Sequence, residues 1–152
     1  MKGAGMSSTP AFTPQLIGQT EKTLNAILDR NLAGTGLTEP QWVVLTLAVR
    51  SGGPIDRNLF ASSVATSAKF SEAEVQARIA ELAERQLLTA STGEGAEVAV
   101  TDAGEELHGR ILATNTELIE RLWGDLPASD LAMAGRVLAI VLERANAEIA
   151  VA

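Results

Sequence analysis

The strongest constraint on the fold lies at Leu87, where a chain otherwise patterned for helices changes its period. Leu87-Leu88-Thr89-Ala90 and Glu97-Val98-Ala99-Val100-Thr101 are short strand-like runs. Ser91-Thr92-Gly93-Glu94-Gly95-Ala96 joins them, and two glycines in so short a polar connection suit a hairpin. No other segment carries strand patterning, so any sheet is small and the rest of the chain must fold as helices.

The helices have readable ends. Leu16, Ile17, Thr20, Leu24, Ile27, Leu28 and Leu32 recur at helical spacing, which predicts a first helix over about 14–33, ended by Gly34-Thr35-Gly36. Thr38 and Gln41 are spaced as a capping box, with Pro40 in the first turn, and open a second helix over about 39–50. Asp56 can cap a short third helix over about 57–65 that buries Leu59, Phe60 and Val64, followed by the polar turn Thr66-Ser67-Ala68-Lys69. Ser71 and Glu74 form a second capping box, opening a fourth helix to about residue 85 with Val75, Ile79 and Leu82 inward. Beyond the hairpin, Thr101 can cap a long helix and Ser129 a final one. Three short helices followed by a β-hairpin define a winged helix-turn-helix, whose second helix of the turn enters the DNA major groove.

The expected fold class is therefore mostly α with a small β-hairpin wing. Residues 1–13 read as a flexible arm, 37–101 as the winged helix-turn-helix lobe, and 14–36 with 102–152 as a helical dimerisation region. The apolar stripes of the last two helices, among them Leu107, Ile111, Leu118, Leu122, Leu138 and Leu142, are wider than one small lobe covers. A partner is expected on them, and a two-fold homodimer is the simplest one.

Composition narrows the chemistry. The 152 residues include no cysteine, no tyrosine and a single histidine, His108. Disulfides, thiol catalysis and cysteine-ligated metals are excluded, and no nucleophile–base constellation is readable. Neither catalytic residues, metal ligands nor a cofactor are expected, and the chain does not read as an enzyme. No apolar run is long enough to span a bilayer, and the first ten residues lack the pattern of a secretory signal, so no membrane association and a cytoplasmic location are expected.

Taken together, these segments resemble the MarR (multiple antibiotic resistance regulator) family of winged helix-turn-helix transcriptional regulators. The resemblance spans about residues 14–150. It rests on Leu37-Thr38-Glu39-Pro40-Gln41-Trp42-Val43-Val44-Leu45, on the helix from Val75 to Arg85, and on Val98-Ala99-Val100-Thr101-Asp102-Ala103-Gly104. It implies an obligate dimer that binds palindromic double-stranded DNA and is released by a small aromatic or phenolic ligand. The family's alternative release by cysteine oxidation is excluded here. Three positions depart from the family pattern. Gln86 stands where a glycine is usual after the recognition helix, and Ala90 where an arginine is common. The wing, residues 91–97, holds Glu94 and Glu97 and lacks the family's minor-groove arginine.

Electrostatics bear directly on DNA binding. The chain has 12 cations against 19 acidic residues, a formal charge of −7. Residues 51–100 are themselves acidic, with Arg57, Lys69, Arg78 and Arg85 facing seven carboxylates. Since phosphate neutralisation dominates DNA affinity, the few cations near the fourth helix carry most of it. Lys69 and Arg57 are the first candidates for phosphate contacts and Arg78 the third, with Ser71 at the helix start. Gln76 could pair with an adenine edge and Glu72 could accept from a cytosine. Arg78 could instead form an ordinary surface pair with Glu74 or Glu81. For the ligand, the resemblance favours a cleft lined by Trp42, Thr46, Arg50 and His108, where an arginine suits an acidic aromatic molecule. The alternative, of a different class, is a winged-helix protein-interaction or ligand-binding module with little DNA affinity.

Overall fold

The computed structural model describes residues 9–151. Among them the chain forms α1 (Pro14–Leu32), α2 (Glu39–Ser51), β1 (Ile55–Asp56), α3 (Arg57–Ala68) and α4 (Glu72–Glu84). After these come β2 (Leu88–Ala90), β3 (Glu97–Val100), α5 (Asp102–Trp123) and α6 (Ala128–Val151). The first eight positions of the expected N-terminal arm lie outside the described residues. No helix among those described is long and apolar enough to cross a membrane.

Both capping boxes form. Thr38 Oγ1 accepts from the Gln41 N–H at 3.3 Å while the Thr38 N–H donates to Gln41 Oε1 at 3.0 Å. Ser71 and Glu74 exchange the same two bonds at 3.1 and 3.0 Å. Each box satisfies two backbone donors that a helix start leaves unpaired, which fixes where α2 and α4 begin.

The sheet has three antiparallel strands in the order β1-β3-β2, one more than the hairpin alone. Ile55 pairs with Val98, and Leu88 with Val100. A two-residue strand has no period to read, so β1 was invisible in the pattern. Through it the start of α3 is joined to the wing, where the Arg57 N–H donates to the Ala96 carbonyl at 2.8 Å.

One core organises the winged lobe. Val44 and Leu45 of α2, Phe60 and Val64 of α3, Val75, Ile79 and Leu82 of α4, and Leu88 and Val98 of the wing are all deeply buried in a single cluster. At roughly 1.5–3 kcal/mol per buried side chain, these contacts anchor α4 by one face and leave the other outward. The expected inward positions of α4 are therefore borne out.

Three details differ from the pattern reading. First, α3 runs on to Ala68, because Lys69 takes the left-handed conformation (φ 63°) that closes the helix, so Thr66, Ser67 and Ala68 are helical. Second, Leu59 is 64% exposed, since α3 turns Phe60, Ala61 and Val64 inward instead. Third, Ser129 lies inside the first turn of α6. The Pro127 carbonyl accepts from the Asp130 and Leu131 N–H groups at 3.0 and 3.1 Å, so the helix begins two residues earlier than a Ser129 cap implies.

The chain divides inside α5 into two compact units, one ending at Asn115 and the other beginning at Thr116. The first holds the winged lobe together with α1 and the start of α5. There, Thr101 caps α5 by accepting from the Gly104 N–H at 3.0 Å, and its hydroxyl donates to the Gln86 carbonyl at 2.7 Å. Gly104 packs so closely that a Cβ would meet the Leu87 carbonyl oxygen. Gln86 itself sits at φ 64°, the backbone region glycine adopts most easily. In the second unit, α6 has no buried residue, and Leu138 and Leu142 are exposed along with Leu122 and Trp123 of α5.

Candidate nucleic-acid interface and ligand cleft

The exposed face of α4 begins at Ser71, whose side chain is committed to the capping box, and continues through exposed Glu72 to half-buried Gln76. Glu72 and Gln76 are four residues apart and share a face. Lys69, exposed at the left-handed turn just before α4, stands at the same end of the helix.

The structure ties together residues that the sequence suggested separately. Arg57 Nε–H donates to Gln76 Oε1 at 2.8 Å, and its Nη1 donates to the Ser91 carbonyl at the wing's base at 2.9 Å. Gln76 Nε2 in turn donates to Asn58 Oδ1 at 3.3 Å. The candidate phosphate contact and the candidate base reader are thus direct partners.

Arg78 lies apart from them. Positions 76 and 78 are about 200° apart around a helix of 3.6 residues per turn. Its Nη2 pairs with Glu81 Oε2 at 2.9 Å, and Glu81 Oε1 also accepts from Gln41 Nε2 at 2.8 Å. The Gln41 hydrogen bond, with Arg78 adding to it, holds the Glu81 carboxyl below the usual range despite some burial. Arg78 therefore serves a link between α4 and α2, the ordinary-pair alternative, and is turned from the Gln76 face.

The second candidate site is a cleft of about 400 Å³ whose walls include Trp42, Thr46 and Arg50 of α2. Glu39 enters from the start of the same helix, with Ser67 and Phe70 from the end of α3 and the turn before α4. Three of the four expected lining residues are brought together. His108 is not a wall residue: it is 7% exposed and stacks against the Trp42 ring, centroids 4.7 Å apart at 18°. Burial, with the Arg50 charge adding to it, lowers the imidazole pKa and so favours the neutral ring. Its Nε2 and Thr46 Oγ1 are buried with no hydrogen-bond partner, so the neighbourhood holds unused polar capacity.

Glu39 is a site residue the pattern reading overlooked, although it continues the stripe of Trp42, Thr46 and Arg50 by one turn. Burial raises its pKa, and the negative charges of Asp29 and Glu21 raise it further. Phe70 had no comparable signal; the left-handed turn at Lys69 brings it to the cleft. No cluster of potential metal ligands occurs among the described residues.

Three helices and an antiparallel wing, with the outer face of α4 beside the wing's base, define a winged helix-turn-helix. Solved structures share this fold along most of the chain. Similar to it is AbsC, a MarR family transcriptional regulator from Streptomyces coelicolor: 20% identity, TM-score 0.72, covering 91% of this chain and 99% of that one. CouR from Rhodococcus jostii RHA1, whose structure holds p-coumaroyl-CoA, matches with 18% identity and a TM-score of 0.72, over 83% of this chain and 88% of CouR. BpsR from Bordetella bronchiseptica, whose DNA binding is regulated by 6-hydroxynicotinic acid, matches with 20% identity and a TM-score of 0.68, over 90% and 99%. The fold is that of the MarR family regulators. No protein-family model matches the sequence, and no curated protein matches it by sequence.

Proposed function

We propose that this chain is a MarR-type transcriptional regulator, a homodimer that binds a specific double-stranded DNA operator as a repressor and is released by a small acidic aromatic ligand. The observation that carries the reading is the outward face of α4, with Gln76 held by Arg57 and Asn58 of α3 on a helix anchored to the core. In this reading Gln76 and Glu72 meet base edges, while Lys69 and the backbone at Ser71 meet phosphate. The exposed apolar face of α6 supports pairing of two copies, because leaving so many large apolar side chains in water is unfavourable. In this reading the operator carries two half-sites one turn of the duplex, about 34–36 Å, apart.

The cleft supports ligand control. Arg50 suits a carboxylate, Trp42 and Phe70 suit an aromatic body, and Thr46 Oγ1 lacks a partner that a ligand hydroxyl can supply. Ser67 and Phe70 flank Lys69, so an occupant touches the turn that leads into α4.

One observation favours a second reading. The wing, residues 91–97, carries no cation, and the lobe around it is acidic. A protein-interaction or ligand-binding module with little DNA affinity would have this charge pattern. The test is binding to duplexes from the protein's own promoter region across a salt series. A regulator binds saturably and specifically, with log affinity falling against log salt by roughly 0.9 per phosphate contact. No specific binding at low salt would overturn the reading in favour of the module.

A further inference from the structure

The hydrogen bonds around Arg57 point beyond a phosphate contact. The first residue of α3 joins three elements at once: its N–H reaches the Ala96 carbonyl at 2.8 Å, its Nε–H the Gln76 amide on α4 at 2.8 Å, and its Nη1 the Ser91 carbonyl at 2.9 Å. Ser91 is in turn locked to the far side of the hairpin, since its Oγ accepts from the Glu97 N–H at 2.8 Å. Arg57 is half-buried, and its guanidinium is held by α4 and the wing together.

The chemistry of the fork matters. A guanidinium only donates, so the Gln76 atom facing Arg57 must be the amide oxygen. A glutamine on a bare helix surface swings freely and can present either end of its amide. Here Arg57 fixes the oxygen end, and the nitrogen end faces Asn58. A preset amide presents one defined donor–acceptor pattern to a base edge, which is the requirement for discrimination in the major groove.

We propose that Arg57 is a positioning residue for base reading: its fork, braced on the wing at Ser91, sets the orientation in which Gln76 meets the DNA. The inference rests on the DNA-binding reading above and specifies how that site discriminates. It also gives the cation-free wing a task, as the rigid support against which Arg57 is held. Two donor directions are needed, one to α4 and one to the wing, and a lysine ammonium on its flexible stem does not reproduce that planar geometry.

The test uses the full chain and a bound duplex from the promoter region, with every single-base change in the site and a salt series. A base-edge contact discriminates by roughly 5- to 150-fold, so Gln76→Ala should reduce discrimination at one position to about twofold or less. Arg57→Ala should reduce discrimination at that same position to within about twofold of Gln76→Ala, and the double variant should lose little more. Arg57→Lys keeps the charge and the salt slope but should not restore the discrimination. Thermal melting of each variant checks that the lobe remains folded.

If Arg57→Ala only shallows the salt slope by about 0.9 and leaves every base preference intact, Arg57 is a phosphate contact and the proposal is overturned. Full restoration of discrimination by Arg57→Lys would overturn it equally, because charge alone would then suffice. If the unaltered protein shows no sequence-specific binding, the DNA-binding reading falls, and this proposal with it.

Discussion

The imidazole of His108 and the indole of Trp42 lie stacked, ring centroids 4.7 Å apart and planes 18° from parallel. The stack joins α5 to α2 within the first unit and backs one wall of the cleft. His108 is buried and its pKa is lowered, so the folded lobe favours the neutral ring while the unfolded chain titrates near the ordinary value.

The sign of the pH dependence follows from that difference. Below about pH 6.5 the unfolded chain takes up a proton at His108 that the folded lobe resists, so this stabilisation is complete above that pH and lost as pH falls. Melting between pH 7.5 and pH 5 should therefore show a declining midpoint. His108→Phe, which keeps a ring against Trp42, should flatten the decline, by up to ~1.4 kcal/mol per pH unit. An unchanged pH profile in His108→Phe would show that this ring is not the sensor.

Gln86 offers a stability test at a single backbone position. Its φ of 64° strains a residue with a Cβ, and the strain is tolerated because the adjacent carbonyls hold the exit from α4: that of Gln86 accepts from the Thr101 hydroxyl and that of Leu87 from the Thr101 N–H. A left-handed residue costs ~1–2 kcal/mol and a glycine's extra unfolded freedom recovers part of that, so Gln86→Gly should stabilise by up to ~1 kcal/mol. Gln86→Val should destabilise, since branching at Cβ worsens the same strain. Urea midpoints of the three proteins decide it.

Gly104 should respond in the opposite direction. A Cβ there meets the Leu87 carbonyl oxygen and Val100 Cγ1, one of them backbone that cannot rotate away. Gly104→Ala should cost ~1–3 kcal/mol even though alanine favours helix, which would show that the close approach of α5 to Leu87 and Val100 outweighs propensity. A stabilised variant would contradict this packing.

Ile79 is fully buried and holds α4 to the core from the middle of the helix. Ile79→Ala should cost ~2–5 kcal/mol in stability. Exposed Glu72→Ala, on the outward face of the same helix, should change stability by less than ~0.5 kcal/mol. Chemical denaturation of both variants separates the anchoring face of α4 from the free one.

Much of this architecture could be read from the sequence because the signals were local. The capping boxes at Thr38 and Ser71 and the inward spacing of Val75, Ile79 and Leu82 each lie within one helix and needed no partner to be recognised. Strand β1 leaves no local signal because two residues cannot show alternation and its pairing partner, β3, lies some forty residues on. The end of α3 carries no glycine to mark it, because Lys69 supplies the left-handed cap. At the candidate interface, residue types pointed to Arg57 and Gln76, but their bond spans nineteen residues and depends on how α3 and α4 pack. The family resemblance implies His108 as a cleft wall, whereas packing turns it behind Trp42.

Pairing of two copies underlies the regulator proposed for this chain, and sedimentation equilibrium at micromolar concentration tests it most directly. A dominant species of twice the 15.9 kDa chain mass is expected, shifting to single chains when Leu138 and Leu142 are both replaced by glutamate. Stable single chains of the unaltered protein at that concentration would contradict the dimer and remove the paired recognition helices with it.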